Sequence, residues 1–341
     1  MLRYLTAGES HGETLTGILE GFPAGVPVTA AHIATQLKRR RLAPGRGPRQ
    51  AHEADAFAVT AGLHKGMTTG APIAVNISNS RPLQKLPFSE VPRPGHADLA
   101  GMIKYGVLNS ALIRERASAR ETAARVALGT FALRLHALLG IRFSSRVISL
   151  GANTALTGKI ISAALAAARR RGDTLGGVFE LRVNGLPAGL GACSQGAARL
   201  GARLAAALFA INSVKGFEVG GGFALAAAGG RQAAQNPGLS GGLDGGMTNG
   251  APLILRCAVK PVPGLRAGAL STNLKTFKQA LVISKTSDTT AVFAAAVIAE
   301  HAAALELAGA LLEKFGGDSL DEIKPRVAQW RRQTGKVLSR L

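Results

Sequence analysis

The pattern of hydrophobic and polar positions divides the chain into alternating strands and helices. The segments on either side of Gly8–Gly12 have strand patterning, which predicts two early strands joined by this turn. A helix is predicted from Ala30 to about Arg41, because Thr29 is a favourable N-cap residue and Pro44-Gly45 interrupts the helical pattern.

Three later helices follow. Ser118–Glu121 has the form of a capping box, and the alanine-rich sequence after it predicts a helix to Gly140. The corresponding helix of the second half is predicted from about Thr289 to Phe315. A closing helix is predicted from Ser319, which would form a capping box with Glu322, to about Leu338.

An internal repeat relates the two halves of the chain. Three segments return in the same order: Glu13–Glu20 as Asp173–Glu180, Gly21–Val26 as Gly185–Leu190, and Gly66–Ile73 as Gly246–Leu253. No Ser/Pro-rich linker separates the halves. We therefore expect one α/β domain with approximate internal two-fold symmetry, comprising residues 1–341 in halves of about 1–145 and 146–341.

Charge narrows the range of functions. The chain has 41 lysines and arginines against 20 acidic residues, a net charge of +21, and 47% of its 341 residues are hydrophobic. This composition excludes a disordered acidic protein and supplies a large core. The excess charge fits either a nucleic-acid phosphate track or a pocket for a small polyanion. Aromatic residues make up only 4% of the chain, which leaves few stacking platforms for a single strand.

Cysteine and N-terminal patterns exclude other classes. Cys193 and Cys257 have no partner cysteine or histidine at metal-ligand spacing, so we expect no disulfide scaffold, no metal site and a reducing cytosol. The N-terminus lacks a basic segment followed by an apolar stretch, and charges interrupt the later apolar runs. We therefore expect neither a signal peptide nor a membrane span.

Two histidines lie in settings that suit proton transfer. His11 stands between glycines, Ser10 and Glu9, and His96 lies in the Arg93–Asp98 turn beside a cation and an anion. Either histidine could also be a plain turn residue. A Ser-His-Asp hydrolase is less well supported, because Ser10 and His11 are adjacent and would point apart. The other histidines are expected on the surface or in packing: His32, His52, His64, His136 and His301.

Two further segments could bind an anion or a planar ligand. Arg116 and Arg120 lie at a helix start, where free backbone N–H groups favour anions. The alternative there is a solvated helix start in which Glu121 and Arg125 pair. Gly241–Gly250 is too rich in glycine for a strand or helix, and it matches neither phosphate-binding glycine fingerprint.

Several long motifs occur together in one order. They are Gly8–Gly12, Arg39–Arg41 followed by Gly45–Gly47, Arg93–Asp98, Lys104–Gly106, Arg116–Thr122 and Gly241–Gly246, then Ser287-Asp288, Ala291-Val292 and Glu313–Ser319. This series, which spans almost the whole chain, resembles that of the chorismate synthase family.

The resemblance implies a lyase that eliminates phosphate from 5-enolpyruvylshikimate 3-phosphate in a 1,4-anti reaction and forms chorismate, on the route to aromatic amino acids. It also implies reduced FMN as cofactor without net redox change, a link to NADP, a β-α-β sandwich fold and a cytoplasmic homotetramer. No flavin-reductase domain is visible, so reduced FMN would come from an external reductant. A substrate with two carboxylates and a phosphate suits the net charge of +21.

The same resemblance suggests roles for individual residues. His11 would protonate the departing phosphate, and His96 would lie beside the flavin. Asp288 would help to remove the ring proton, unless it is only the N-cap of the next helix. The substrate-binding residues would be Ser10, Arg40, Arg46, Arg49 and Arg120. The flavin-binding residues would be Arg116, Ala117, Ser118, Asn212, Ser213, Gly245, Lys260, Pro261, Val262, Pro263, Gly264 and Thr286.

The sequence departs from the family pattern at three places. Thr286 replaces an arginine, with Lys285 beside it, and Pro263-Gly264 stands where hydroxyl residues are usual. Pro237-Gly238 replaces the usual Thr-Asn before the double-glycine loop. These changes affect the expected affinity for flavin more than the expected fold.

Three functions therefore remain open from sequence. The first is an active chorismate synthase, and the second is a flavin- or anion-binding homologue with impaired catalysis. The third is a basic nucleic-acid-binding protein, which only the net charge supports. We expect the first, with a small anionic substrate and without nucleic-acid or membrane partners.

Overall fold

The computed structural model describes residues 2–47, 53–80, 82–284 and 286–338. Three residues discussed above, Arg49, His52 and Lys285, lie outside these ranges.

The first sheet belongs to the first half of the chain. It is formed by β1 (Arg3–Ala7), β2 (Thr14–Glu20), β3 (Phe57–Ala61) and β6 (Ile73–Ser78), and β4 (Leu63–His64) and β5 (Met67–Thr68) form a hairpin between the last two. The four longer strands pair antiparallel in the order β1-β2-β6-β3. Leu15 and Leu19 of β2 are buried whereas Ile18 is exposed, so one face of this sheet covers the core.

The second sheet repeats this arrangement. It is formed by β7 (Arg142–Leu150), β8 (Gly177–Asn184), β9 (Val214–Val219) and β12 (Leu253–Val259), with a hairpin of β10 (Leu243–Asp244) and β11 (Met247–Thr248) before β12. A further hairpin consists of β13 (Ala269–Thr272) and β14 (Gln279–Val282). The order is β7-β8-β12-β9, so in both sheets the fourth long strand lies between the second and the third.

The helices are α1 (Ala30–Arg41), α2 (Asp98–Tyr105), α3 (Ser110–Ala117), α4 (Thr122–Leu138), α5 (Gly158–Arg170), α6 (Leu200–Phe209), α7 (Gly230–Gln235), α8 (Val292–Phe315) and α9 (Leu320–Leu338). The predicted bounds of α1 are confirmed, and Thr29 caps it together with His32. Half of the capping box predicted before α9 is present: the Ser319 hydroxyl accepts from the Glu322 N–H at 3.4 Å, but the Glu322 carboxylate accepts from the Asp318 N–H at 3.3 Å rather than from that of Ser319.

Helices fill the space between the two sheets. α4 packs on β2 and β6, α8 packs on β7 and β8, and α4, α8 and α1 pack on one another. Phe131 of α4 meets Phe22 edge to face, with ring centroids 6.1 Å apart. The α/β class and the β-α-β sandwich expected from sequence are thus confirmed.

Helices α4 and α8 pack closely where they cross at Gly129. A Cβ on Gly129 would lie 2.9 Å from the His301 Cα and would overlap its Cβ, so the two backbones touch here. His301 and His136 are fully buried, and burial lowers the pKa of each to about 4. Both rings therefore remain neutral near pH 7 and donate to backbone carbonyls, which confirms them as packing residues.

One helix in the described part of the chain, α8, is long and apolar enough to cross a membrane. In its most apolar window, however, 89% of the residues are buried inside the protein. A helix that is apolar on all sides is expected in the core of a protein of this size as well as in a bilayer.

Three local predictions were wrong. α4 begins after a 3-10 turn at Ala119–Glu121, and the Ser118 hydroxyl accepts from the Arg120 N–H at 3.2 Å rather than closing a box with Glu121. α8 begins at Val292, three residues later than expected. Gly241–Gly250 does contain strands, the short pair β10 and β11, because positive φ angles at its glycines permit a tight hairpin.

We predict opposite effects on stability when alanine replaces two glycines, one at the helix crossing and one in α9. Gly129→Ala should lower the free energy of unfolding by about 1–3 kcal/mol, because the added methyl overlaps His301. Gly335→Ala in α9 meets nothing within 4 Å and should raise stability by up to about 1 kcal/mol through helix propensity. Urea unfolding of both variants checks this; a stabilised Gly129→Ala would contradict the close crossing.

Candidate active site

The turn that carries Ser10 and His11 lies at one edge of the first sheet, between the end of β1 and the start of β2. Asn79, just after β6, closes this edge: its backbone N–H donates to the Glu13 carbonyl at 3.0 Å and its side-chain amide to the Gly12 carbonyl at 2.7 Å. Ser10 in the same loop is buried, and its N–H donates to the Glu115 carbonyl at 3.0 Å. The glycine-flanked turn is therefore fixed by side chains and helices around it.

His11 is held by the carboxylate of Glu115 in α3. One oxygen accepts from the His11 backbone N–H at 2.7 Å, and the other lies 2.8 Å from the ring Nδ1. The Glu115 side chain is 11% exposed, whereas the His11 side chain is 35% exposed. The imidazole is thus anchored at Nδ1 by a largely buried carboxylate, and its side chain is only partly exposed.

Two buried arginines share the carboxylate of Asp55. Arg40, from the last turn of α1, lies 3.4 Å from one oxygen, and Arg120 donates to the other oxygen and to the Asn79 amide oxygen at 2.8 Å. Burial lowers the pKa of Arg40 to about 10; Asp55 opposes this shift, and Arg46 and Arg120 add to it. Arg40 still carries its proton at neutral pH, so its guanidinium remains positively charged beside Asp55.

Arg46 connects the loop after α1 to the second half of the chain through an ion pair with Asp288. Its NH1 lies 2.5 Å from one oxygen of Asp288, and the Gly47 N–H donates to the other oxygen at 2.6 Å. Asp288 does not cap α8, because the cap position is Ala291 and no side-chain hydrogen bond is made there. The interpretation of Asp288 as a helix N-cap is therefore wrong.

His96 lies in a second charged cluster. Its Nδ1 donates to a carboxylate oxygen of Asp98, and the Arg93 NH2 lies 3.1 Å from both ring nitrogens. Arg114 of α3 lies 3.4 Å from the other Asp98 oxygen. Burial alone would raise the pKa of Asp98, but the hydrogen bonds from His96 and Arg93 outweigh it and hold the pKa at about 2.

Hydrogen bonds connect several of the predicted flavin-binding segments. The Asn212 amide donates to the Ala117 carbonyl at 3.1 Å, and the Lys260 N–H donates to the Ser213 carbonyl at 2.9 Å. The Lys260 ammonium donates to the Gly95 carbonyl at 2.5 Å. These contacts bring the predicted residues of α3, the β9 entry and the segment after β12 next to the His96 turn.

The loop after β12 continues toward Asp288. Val262, which follows Pro261, accepts at its carbonyl from the Thr174 hydroxyl at 2.8 Å. A Cβ on Gly264 would collide with the hydroxyl of Ser287, which itself lies 2.6 Å from the Ser284 hydroxyl. Two hydroxyl groups therefore lie against Pro263-Gly264, where the sequence itself lacks them.

Other predicted residues are not brought together. Gly245 lies in the hairpin before β12 and Lys260 follows its end, so the seven-residue strand separates them by about 20 Å. Arg116 is exposed and donates to the Thr6 carbonyl at 3.0 Å, whereas Arg120 donates to Asp55 and Asn79. Thr286 is exposed, with its carbonyl against Gly47. The two arginines near the start of α4 thus do not form one cradle.

At that helix start, the predicted alternative pairing is present. Glu121 and Arg125 lie 3.2 Å apart with side chains about one-tenth exposed, so the pair is largely buried rather than solvated.

Sequence reasoning missed the acidic partners of this site. Glu115 and Asp55 contact His11, Arg40 and Arg120, and Glu53 lies 3.5 Å from Arg120. The only signal for them was general: with 41 basic and 20 acidic residues, a buried carboxylate is expected beside a buried arginine.

Two grooves of about 540 and 370 Å³ run beside α1, on either side of the ion pair between Arg39 and Glu300. None of the candidate residues that the structure describes lines either groove. The chemistry-bearing residues therefore belong to a different face of the molecule from these cavities.

Comparisons with known proteins agree with one another. A family model described as "Chorismate synthase" matches residues 2–312. The chain is 43% identical to the chorismate synthase of Mycobacterium leprae (strain Br4923) over 97% of this chain and 95% of the relative. It is 42% identical to that of Mycobacterium marinum (strain ATCC BAA-535 / M) over 97% and 96%. A crystal structure of chorismate synthase superposes with a TM-score of 0.79 at 33% identity, over 97% and 98% of the two chains.

The low pKa of Asp98 predicts a defined pH dependence. A carboxylate whose pKa falls from 3.8 to about 2 on folding stabilises the native state above about pH 4 and loses that contribution as pH falls toward 2. Asp98→Asn should therefore be less stable than wild type at pH 6, with a difference that shrinks between pH 4 and 2. Urea unfolding across this range measures it; a constant difference would contradict the ionised cluster.

Proposed function

The chain belongs to the chorismate synthase family, and we propose that the cluster around His11, Arg46 and Asp288 is its catalytic centre. The enzyme is a lyase that eliminates phosphate from 5-enolpyruvylshikimate 3-phosphate in a 1,4-anti reaction and releases chorismate. The observation that carries the proposed site is the meeting of an accessible histidine, a cluster of arginines and a carboxylate where the two halves of the chain touch.

Arginine donors support the binding of the substrate at this cluster. Among the described residues, the Nε atoms of Arg40 and Arg46 are buried without a hydrogen-bond partner. A buried donor without a partner costs about 1–3 kcal/mol, so an anionic oxygen placed there would be stabilised. The substrate carries two carboxylates and a phosphate, and we assign Ser10, Arg120 and Arg49 to the same site, Arg49 on the sequence motif alone.

Arg46 and Asp288 have complementary roles in this proposal. An anion of the substrate competes with Asp288 for the Arg46 guanidinium, which lies 2.5 Å from the carboxylate. Release from Arg46 leaves Asp288 able to accept the ring proton, while His11 donates a proton to the departing phosphate. The arginines neutralise the charge that develops on the leaving group.

The loop from Lys260 to Gly264 has the chemistry expected of a site for FMN. The absence of a side chain on Gly264 lets the loop approach the hydroxyls of Ser284 and Ser287, and hydroxyls and cations are the donors that phosphates prefer. Reduced FMN, when bound, supplies electron density that favours loss of phosphate. His96 would hold a proton beside it, and the remaining flavin-binding residues would be Arg116–Ser118, Asn212, Ser213, Gly245 and Thr286.

The assembly and cellular setting are also part of the proposal. We infer one domain of two halves, because the two sheets share one strand order and one helix layer. A cytoplasmic homotetramer that receives reduced FMN from an external source fits the family. Within this homotetramer, Gly245 would lie far from the flavin site of its own chain. NADP would enter as the source of reducing equivalents.

The histidine roles can be tested by substitution. His11→Ala and His96→Ala should each lower kcat by about two to four decades, the usual span for acid-base groups. The measurement is an anaerobic assay with photoreduced FMN that follows chorismate absorbance. His64→Ala, in the β4–β5 hairpin, is the matched control and should keep its rate. Near-normal rates in both site variants would remove the proton roles.

The Asp288 assignment has a separate test. In Asp288→Asn the amide oxygen can still accept from Gly47, but the amide N–H group faces Arg46 and the ion pair is lost. We expect about 1–3 kcal/mol lower stability and a kcat reduced by at least about 100-fold. Asp318→Asn, at the start of α9, controls for loss of a carboxylate. A wild-type kcat in Asp288→Asn would show that Asp288 only organises the loop.

A further inference from the structure

Within the described part of the chain, three hydrogen bonds fasten the turn that carries His11 to one residue of α3, Glu115. Glu115 accepts from the Ser10 N–H with its backbone carbonyl, and from the His11 N–H and ring with its two carboxylate oxygens. The lengths are 3.0, 2.7 and 2.8 Å. Backbone and ring of His11 are thus oriented by the same carboxylate.

We propose that Glu115 is the positioning residue of the acid-base histidine. A carboxylate can only accept, so the nitrogen that faces it, Nδ1, must carry a hydrogen. The ring nitrogen that Glu115 does not engage, Nε2, is then the one that exchanges a proton with the substrate. The negative charge of Glu115 also stabilises the ring while it is charged and ready to donate. This inference rests on the proposed role of His11 as the acid.

The same helix supports the second histidine. Arg114 lies 3.4 Å from the carboxylate of Asp98, which accepts from Nδ1 of His96. Neighbouring residues of a helix point about 100° apart, so Arg114 and Glu115 face different sides of α3. His11 and His96 therefore each have a carboxylate at Nδ1, and α3 contacts both of these histidine–carboxylate pairs.

Glutamine at position 115 separates positioning from simple support. Glutamine has the shape of glutamate, but one end of its amide accepts and the other donates. If the oxygen remains on the His11 backbone N–H, the amide N–H group faces Nδ1, which must then accept. The neutral ring is forced to carry its hydrogen on Nε2. Glu115→Gln should therefore invert the tautomer of His11 without removing the contact.

The experiment compares Glu115→Gln with two other variants. Glu115→Asp keeps the charge but is one methylene shorter, so it cannot reach both donors. Glu180→Gln is the matched control: the Glu180 carboxylate is 9% exposed, against 11% for Glu115, and pairs with Arg146 and Arg256 away from the site. The readouts are the ring ¹⁵N signals of His11 at pH 8.5, assigned by their loss in His11→Asn, and kcat and KM with photoreduced FMN.

We expect Nδ1–H in wild type and Nε2–H in Glu115→Gln, with kcat lowered about 100-fold and KM within about threefold. Glu115→Asp should keep the wild-type tautomer and lose about tenfold in kcat, and Glu180→Gln should match wild type. An unchanged tautomer or an unchanged kcat in Glu115→Gln overturns the inference. If that variant does not fold, a wild-type kcat in Glu115→Asp overturns it. Full turnover in His11→Asn would instead overturn the role of His11 itself, and the inference with it.

Discussion

The carboxylate of Asp55 is the constraint on which the arginine cluster depends. Arg40 and Arg120 come from different elements, and both contact Asp55. Two guanidinium groups that contact the same carboxylate repel each other unless that anion lies between them. Removing one partner of a buried ion pair costs about 3–5 kcal/mol, so Asp55 fixes α1 against the start of α4. The loop after α1, with Arg46, follows from that placement. Electrostatics and packing therefore set the position of the site together.

The two halves of the chain meet beside the proposed site. Gly45, after α1, accepts at its carbonyl from the Thr289 N–H at 2.7 Å, and within the second half Leu175 forms a bridge with the neighbouring Thr290. Thr174 occupies the place in the second half that Thr14 has in the first, and its hydroxyl holds the Val262 carbonyl. Equivalent loops have thus diverged: the one before Thr14 carries the His11 turn, and the one that contains Thr174 supports the segment next to the His96 turn.

Local signals were sufficient for much of the fold. A good cap at Thr29, the hydroxyl cap at Ser319 and the repeated strand segments each depend on a few neighbouring residues, and the structure confirms them. The partners of the site depend on contacts between distant residues. Glu115 meets His11 across 104 positions of sequence, and Arg120 meets Asp55 across 65. No periodicity encodes such a pair. The failed box at Ser118 has in part the same cause, since the Glu121 carboxylate accepts from the hydroxyl of Thr6, 115 positions away.

The pairing of Arg46 with Asp288 also has a consequence for synthesis of the protein. The two residues are 242 positions apart, and ribosomes add roughly 5–20 residues per second. For roughly 12–48 s the emerging chain presents Arg46 without its carboxylate, on a first half already rich in arginine. During that interval Arg46 is one more unpaired cation on a basic nascent chain, and its charge is balanced only after Asp288 emerges and the second half docks.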